Sequence, residues 1–304
     1  MMCDLSTNAG AVGCSQIQHG VQCALRFESV GAMPDLLSSM MAISREAGAA
    51  IMNIYSEDDL GVELKDDNSP LTRADLVAHR IIVNGLEKLA PDIPILSEES
   101  EEIDYDIRSK WKRYFLVDPL DGTKEFINRN GEFTVNIALI NDGIPVIGVV
   151  FGPVEDILYA GTQINSPRAY LVVSGQTREI KSRAIDTGQP LTLVASRRHG
   201  GEAMTSFVAN LTPYFSEIET TNMGSSLKLC LVASGDADIY PRLALTSEWD
   251  TAAAQAVVEA AGGAVLDLSL QPLRYNMKAD ILNPHFLVLG DTSFDWSAIL
   301  TRIS

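Results

Sequence analysis

Two aspartates three residues apart, Asp118 and Asp121, lie in the run VDPLDGTKEF, directly after the apolar, strand-like segment FLV. A carboxylate at the edge of a buried strand is costly unless a cation meets it. Pro119 fixes its own φ and turns the chain as it leaves the strand, so both carboxylates and the carbonyl of Leu120 can face one point. These residues therefore predict a cation site built from oxygen ligands.

The donors at this predicted site are all hard oxygens, and none of the four histidines lies in the segment. Mg²⁺ or Mn²⁺ suits such donors, whereas Zn²⁺ prefers nitrogen and sulfur ligands. The spacing of the acids also differs from that of an EF-hand calcium loop. Glu98 in ILSEES and Asp250 in SEWDTAAAQ lie at the edges of apolar elements too. Three or four carboxylates at one place would require more than one divalent cation.

Each acid also has an ordinary structural alternative. Glu98 begins an acidic run, and most such runs are solvated loops. Asp250 comes three residues after Ser247, which is the spacing of a helix capping box, and Asp75 stands in the same relation to Thr72. For any one of these residues taken singly, the structural role and the functional role both stay open.

The residues after Asp121 supply an anion site. Gly122 allows a ligand to approach the backbone closely, and the N–H groups of Gly122 and Thr123 can bind an anion if they open a short helix. A metal cluster beside a phosphate cradle indicates phosphoryl chemistry. In that chemistry two metal ions activate a water, polarise the phosphate and stabilise the leaving alkoxide.

The elements that would position these residues follow two patterns. Apolar residues at three-to-four spacing predict a helix that begins just after Met33, and residues 72–89 predict a second one. Short strands separated by turns follow, which is typical of a largely antiparallel sheet. From about Pro190 strands alternate with helices. We expect an α+β half over residues 33–187 and an α/β half over residues 188–304, with a cleft between them.

Composition and charge exclude several classes of function. The 304 residues are 46% hydrophobic and 21% charged, and no run approaches the roughly 20 apolar residues of a membrane span. The formal net charge of −17 opposes binding to nucleic acid polymers. The cysteine spacing does not resemble a disulfide framework, which favours a reducing cytoplasm. Residues 1–32 lack periodicity and a secretory signal, and we expect them to form a flexible extension.

Three motifs in order along the chain resemble those of the lithium-sensitive, magnesium-dependent inositol monophosphatase superfamily. They are SEE at 97–99, DPLDGT at 118–123, and WDTAA at 249–253 with the later Gly-Gly pair. The runs SPLTRAD, DGTKEFINRNGEFTVNIALI and GSSLKLCLVASGDADIYPR resemble the CysQ-type 3′(2′),5′-bisphosphate nucleotidases within that superfamily. The similarity covers roughly Pro34 to Val288 and implies an α/β fold, a layered α-β-α-β-α sandwich.

The resemblance implies roles for individual residues. Two or three Mg²⁺ ions, with Mn²⁺ as a substitute, would be bound by Glu98, Asp118, the Leu120 carbonyl, Asp121 and Asp250. Asp75 and Thr123 would orient and deprotonate the attacking water. The substrate would be contacted by Glu98, Asp121, Gly122, Thr123, Lys124, Ser196, His199, Gly224, Lys228 and Asp250. Lys124 stands where inositol-type relatives commonly carry a neutral residue, which favours a bisphosphate substrate.

By this resemblance the chain would remove the 3′-phosphate from 3′-phosphoadenosine 5′-phosphate (PAP) in sulfate assimilation, giving AMP and phosphate. Its sulfonated precursor, PAPS, is a second candidate substrate. One alternative is a broader inositol, sugar or NADP phosphatase of the same superfamily, and another is a catalytically silent nucleotide sensor. The choice between monomer and homodimer, and any association with the cytoplasmic face of the inner membrane, stay open.

Overall fold

The computed structural model of this protein describes residues 34–65, 69–196 and 201–300. The extension expected over residues 1–32 lies outside the described residues. In the part of the chain that is described, no helix combines the length and the apolar character needed to span a membrane.

Two helices form one outer layer, α1 (Pro34–Tyr55) and α2 (Arg73–Leu89). The apolar stripe of α1 is buried, with Met40 and Ile51 inaccessible to solvent, as an amphipathic pattern predicts. A short ribbon of β1 (Glu63–Leu64) and β2 (Pro70–Leu71) lies between the two helices in the chain. Helices α1 and α2 pack on each other and on the larger of two sheets.

The larger sheet contains seven strands. They are β3 (Ile95–Ser97), β4 (Arg113–Asp121), β5 (Thr134–Asn141), β6 (Ile144–Gly152), β7 (Ile157–Thr162), β8 (Arg168–Val173) and β9 (Gln176–Ile180). Their order in the sheet is their order in the chain. Strands β3 and β4 are parallel, and the other pairs are antiparallel. Strand β5 is buried over its whole length because helices cover both faces of the sheet.

Strand β4 extends further than the sequence predicts. It continues through Pro119 to Asp121, so the chain does not leave the strand at the proline. The pairing of β4 with β5 shifts register between Asp118 and Asp121. A register shift interrupts the ladder of hydrogen bonds and redirects side chains, and it can accommodate a residue that has no N–H group. The predicted turn is therefore a local irregularity within the strand.

The smaller sheet contains five strands in the order β11-β10-β12-β14-β13. They are β10 (Leu191–Ala195), β11 (Ile218–Asn222), β12 (Ile239–Arg242), β13 (Ala264–Asp267) and β14 (Phe286–Leu289). Strand β10 is parallel to both of its neighbours, whereas β14 is antiparallel to β12 and β13. The remaining helices are α3 (Tyr105–Arg108), α4 (Thr123–Ile127), α5 (Glu202–Leu211), α6 (Leu227–Ala233), α7 (Glu248–Ala260) and α8 (Ser297–Leu300).

Helices α6 and α7 form the layer between the two sheets. The alanine-rich α7 lies directly on the larger sheet because two strand residues there are glycines. A Cβ on Gly148 would lie 2.0 Å from the carbonyl oxygen of Ala253, and one on Gly161 would lie 2.6 Å from the Cα of Val257. On the outer face of the smaller sheet, Phe207 of α5 joins an apolar cluster with β10 and β14. The layers are α-β-α-β-α, as expected.

Candidate active site

The predicted acids lie where four elements begin or end. Strands β3 and β4 are parallel, so their carboxyl ends lie on the same side of the larger sheet. There the N–H of Glu98 donates to the carbonyl of Val117 at 3.1 Å. Asp75 and Asp250 are each the third residue of a helix, α2 and α7. Both carboxylates accept the N–H of the residue that caps their helix, so the capping boxes foreseen from the spacing are present.

The carboxylates are close enough to raise one another's pKa. Burial, followed by the charges of Glu98, Asp121, Asp250 and Asp75, raises the pKa of Asp118 well above its usual range. Burial and the charge of Asp121 do the same for the pKa of Asp250. Burial also raises the pKa of Asp121 and of Glu98. The five acids foreseen from the sequence therefore form one cluster.

Like Asp75, the three aspartates proposed as metal ligands are each held by a backbone N–H that bonds one carboxylate oxygen. The pairs are Asp118 Oδ1 with the N–H of Leu120 (3.0 Å), Asp121 Oδ2 with that of Ser226 (2.6 Å), and Asp250 Oδ2 with that of Ser247 (2.9 Å). Such bonds fix the orientation of each carboxylate and leave its second oxygen available to a cation.

The two predicted catalytic residues also lie together. The hydroxyl oxygen of Thr123 is 3.4 Å from Asp75 Oδ1 and 3.3 Å from the carbonyl oxygen of Leu120. Burial raises the pKa of Asp75 to about 6, although hydrogen bonds from Thr72 oppose the shift. The arrangement gives the Thr123 hydroxyl a carboxylate acceptor.

The cluster fits a divalent cation by the chemistry of its donors. All are oxygens, and the mutual repulsion that raises their pKa would be relieved by bound Mg²⁺. Within the described ranges, no three His, Cys, Asp or Glu side chains are arranged so as to hold an ion as they stand. A cationic side chain is present instead, because Lys65 Nζ bonds Glu98 Oε1 at 2.8 Å and Glu99 Oε1 at 2.6 Å. A metal ion that uses Glu98 would compete with this ammonium group.

A pocket of about 250 Å³ adjoins the acids and is called here the anion pocket. Seven predicted substrate residues line it: Asp121, Gly122, Lys124, Ser196, Gly224, Lys228 and Asp250. Glu98 and Thr123 do not line it, and His199 lies outside the described residues. Most of the predicted substrate set therefore surrounds one cavity.

Two glycines at the anion pocket are explained by packing as well as by ligand approach. Gly122 has φ +91°, a left-handed conformation that favours glycine. A Cβ on Gly224 would lie 2.8 Å from the carbonyl oxygen of Glu132, and one on Gly122 would lie 3.1 Å from the same oxygen. Both segments thus approach the backbone just before β5.

Two cationic side chains line the anion pocket, the buried Lys228 and the half-buried Arg242, and sequence reasoning identified only Lys228. Its ammonium group donates to the carbonyl of Ser225 at 2.5 Å and lies 5.7 Å from the ring centroid of Tyr240. Burial lowers the pKa of Lys228 to about 8, against the opposing charge of Asp121. A bound anion would stabilise the charged form.

Arg242 is the cation that sequence reasoning missed. Its Nη2 donates to the carbonyl of Leu245 at 2.9 Å. Its Nε is buried and, among the described residues, has no acceptor. The available signal was its position at the carboxyl end of β12, which is parallel to β10, the strand that leads to Ser196. Ligand-binding residues gather at such strand ends.

Comparison with known proteins agrees with this architecture. Residues 34–292 match the model of the inositol monophosphatase family. The 3′(2′),5′-bisphosphate nucleotidase CysQ of Escherichia coli is 45% identical over 254 residues, which cover 83% of this chain and 99% of that protein. Its counterpart from Haemophilus influenzae is 36% identical over 87% of this chain and 96% of its own.

A solved structure shows the same fold. The crystal structure of CysQ from Bacteroides thetaiotaomicron superposes with a TM-score of 0.75 at 39% identity, covering 85% of this chain and 98% of that chain. The family match, the identities and the shared fold agree over the same region of the chain. This chain belongs to the inositol monophosphatase family.

Proposed function

We propose that this protein is a 3′(2′),5′-bisphosphate nucleotidase that hydrolyses the 3′-phosphate of PAP to AMP and phosphate. The observation that carries the proposal is the buried Nε of Arg242, a charged donor without an acceptor in the described part of the chain, in a pocket that adjoins the acid cluster. A buried charged donor of this kind needs a hydrogen-bond acceptor, and a phosphate oxygen of a substrate in the pocket can supply it. The relatives at 45% and 36% identity bear the name of this activity.

The charges of the anion pocket favour a substrate with two phosphates. A net charge of −17 repels anions at long range, so cations near the site must offset that repulsion. Lys228 is buried at the pocket, Arg242 is half-buried there, and Lys124 is exposed at its rim. These side chains can bind a phosphate that the acid cluster and its metal ions do not hold.

The shape of the site favours a nucleotide. A second pocket of about 290 Å³ shares Ser196, Tyr240 and Arg242 with the anion pocket. Its other lining includes the apolar side chains of Met204 and Leu243. An inositol phosphate would have no use for this adjoining space, whereas the nucleoside of PAP can occupy it.

Members of the family are metal-dependent phosphatases, typically with Mg²⁺. The residues proposed to hold the ions here are Glu98, Asp118, the Leu120 carbonyl, Asp121 and Asp250. When bound, Mg²⁺ would neutralise charge on the phosphate and on the leaving oxygen. The proposal includes two or three bound Mg²⁺ ions, which Mn²⁺ can replace.

The proposed roles of Asp75 and Thr123 follow from their contact. The attacking water gives its proton to the Thr123 oxygen as the Thr123 hydroxyl proton moves to Asp75 Oδ1. A carboxylate with a pKa of about 6 is ionised at neutral pH and still basic enough to accept a proton. Both side chains therefore act as the proton acceptor pair for the water.

A substrate panel tests the proposal. Phosphate release is measured with Mg²⁺ on PAP, PAPS, inositol 1-phosphate and NADP, with and without Li⁺. We expect the highest kcat/KM for PAP and inhibition by Li⁺. Faster turnover of inositol phosphate would support the broader phosphatase, and nucleotide binding without turnover would support the sensor. A cytoplasmic location and the choice between monomer and homodimer stay predictions from the sequence.

A further inference from the structure

The turn before α6 is hydrogen-bonded to the carboxylate of Asp121. The N–H of Ser226 donates to Asp121 Oδ2 at 2.6 Å, and Asn136 Nδ2 lies 3.5 Å from the same oxygen. The Ser226 hydroxyl is 2.8 Å from Asn136 Oδ1, and Thr134 Oγ1 is 2.8 Å from Ser226 Oγ. Asp121 is thus connected to β5 and to the start of α6 through one network.

The direction of each hydrogen bond in this network is determined by chemistry. Asn136 Oδ1 can only accept, so the single hydroxyl proton of Ser226 must point to it. The Thr134 hydroxyl must then donate to Ser226. The donors run in sequence from Thr134 through Ser226 and Asn136 to Asp121, and each bond polarises the next toward the carboxylate. A network with one allowed direction holds its members in one arrangement.

The network is buried, since Thr134, Asn136 and Ser226 are between 0% and 2% exposed. Water therefore cannot replace a lost partner, and a break in the chain would leave an unsatisfied polar group. The position of the turn before α6 is consequently tied to β5 and to Asp121.

The same turn presents ligand-binding groups to the anion pocket. Ser225 and Ser226 line the pocket together with Lys228. Ser225 has φ +46°, an unusual backbone conformation for a non-glycine residue, and its carbonyl accepts the bond from Lys228 Nζ. A shift of this turn would move the Lys228 ammonium group and the N–H bound to Asp121 together.

We propose that Ser226 is a positioning residue that couples divalent-cation binding at Asp121 to nucleotide binding in the anion pocket. The inference rests on the proposed function. A cation bound at Asp121 would hold the carboxylate in one orientation, and the N–H of Ser226 bonded to that carboxylate would then hold the turn that carries Lys228. By linkage, a nucleotide that orders the turn raises the affinity for the cation by the same factor.

Calorimetric titration of Mg²⁺ into the full chain, with and without saturating AMP, measures this coupling as the ratio of the two Kd values. We expect a ratio of about 5 or more for the natural protein, the lower end of typical coupling between sites. Ser226→Ala keeps the N–H bond to Asp121 but removes the hydroxyl bond that ties the turn to Asn136. It is expected to lower the ratio toward one and to raise the KM for PAP more than it lowers kcat. Ser226→Thr keeps the hydroxyl and should restore much of the coupling.

Thr134→Val is the matched control. It also removes one buried hydrogen bond, but it leaves the path from Ser226 through Asn136 to Asp121 in place, so it should keep the natural ratio. If Ser226→Ala fails to fold, the nearly isosteric Ser226→Cys, whose thiol is a weak donor, serves for the same comparison.

Three results would overturn the inference. Ser226→Ala could keep the natural ratio, or Thr134→Val could abolish it equally. AMP that fails to bind the natural protein in Mg²⁺ would overturn the proposed function as well. AMP that binds the natural protein, with the ratio unchanged in Ser226→Ala, would overturn the inference alone.

Discussion

Thr123 Oγ1 lies 3.4 Å from Asp75 Oδ1, so the first residue of α4 contacts the third residue of α2 across the edge of the larger sheet. Forty-eight positions of sequence separate the two residues. Their proximity brings a hydroxyl and a partly basic carboxylate to the acid cluster. The first prediction concerns this pair.

Thr123→Ala should lower kcat for PAP by about 10² to 10⁴, the usual contribution of a positioned proton acceptor, with a small change in KM. The variant should fold normally because Thr123 is only half-buried. Thr123→Ser keeps the hydroxyl and is the matched control, with activity close to that of the natural protein. Equal losses in both variants would mean that the methyl group, not the hydroxyl, is required.

Asp121→Asn should remove most phosphatase activity and leave the free energy of unfolding unchanged or increased. The substitution discards a proposed metal ligand, but it also removes one charge from a crowded cluster. The amide oxygen can still accept the N–H of Ser226. Steady-state kinetics and thermal denaturation measure the two effects. Near-normal turnover would contradict the role assigned to Asp121.

Mg²⁺ should raise the melting temperature in a concentration-dependent way, and EDTA should reverse the rise. Burial and the charges of neighbouring carboxylates raise the pKa of Asp118 and of Asp250, and a bound cation would offset both effects. A ligand at 100 times its Kd stabilises a folded protein by about 2.7 kcal/mol. Na⁺ at matched ionic strength is the control. A Tm that responds equally to both salts would indicate general screening rather than a site.

Arg242→Gln should raise the KM for PAP about 10-fold or more, since hydrogen bonds to charged groups contribute about 1.5 to 3 kcal/mol. If Arg242 binds the 5′-phosphate, hydrolysis of adenosine 3′-monophosphate should change little. Arg178→Gln, at an exposed position on β9, is the control for loss of a positive charge. An equal effect on both substrates would place Arg242 elsewhere in the mechanism.

Much of the fold was predictable because its elements bury clear apolar patterns. The start of helix α1 and both ends of α2 match the expected positions to within one residue. Strands β9 and β11 were harder to predict, because both are short and largely exposed and so lack an apolar signal. The division into halves at residue 187 stays a prediction.

The candidate site was predictable where local spacing carries the signal. Asp118 and Asp121 lie at the end of one strand. Thr72 and Ser247 are the N-cap residues of the helices that carry Asp75 and Asp250. Arg242 was not predictable in the same way, because a single arginine at a strand end resembles any other surface cation. The burial of its Nε depends on tertiary packing that no local pattern encodes.

The close contact of α7 with Gly148 and Gly161 makes two positions far along the sheet sensitive to single methyl groups. Alanine at either glycine would press on the backbone of a helix whose third residue is Asp250. The helix would have to slide or tilt, and the carboxylate would move with it. Substitutions at these glycines should therefore lower activity as active-site substitutions do, although neither glycine lines the anion pocket.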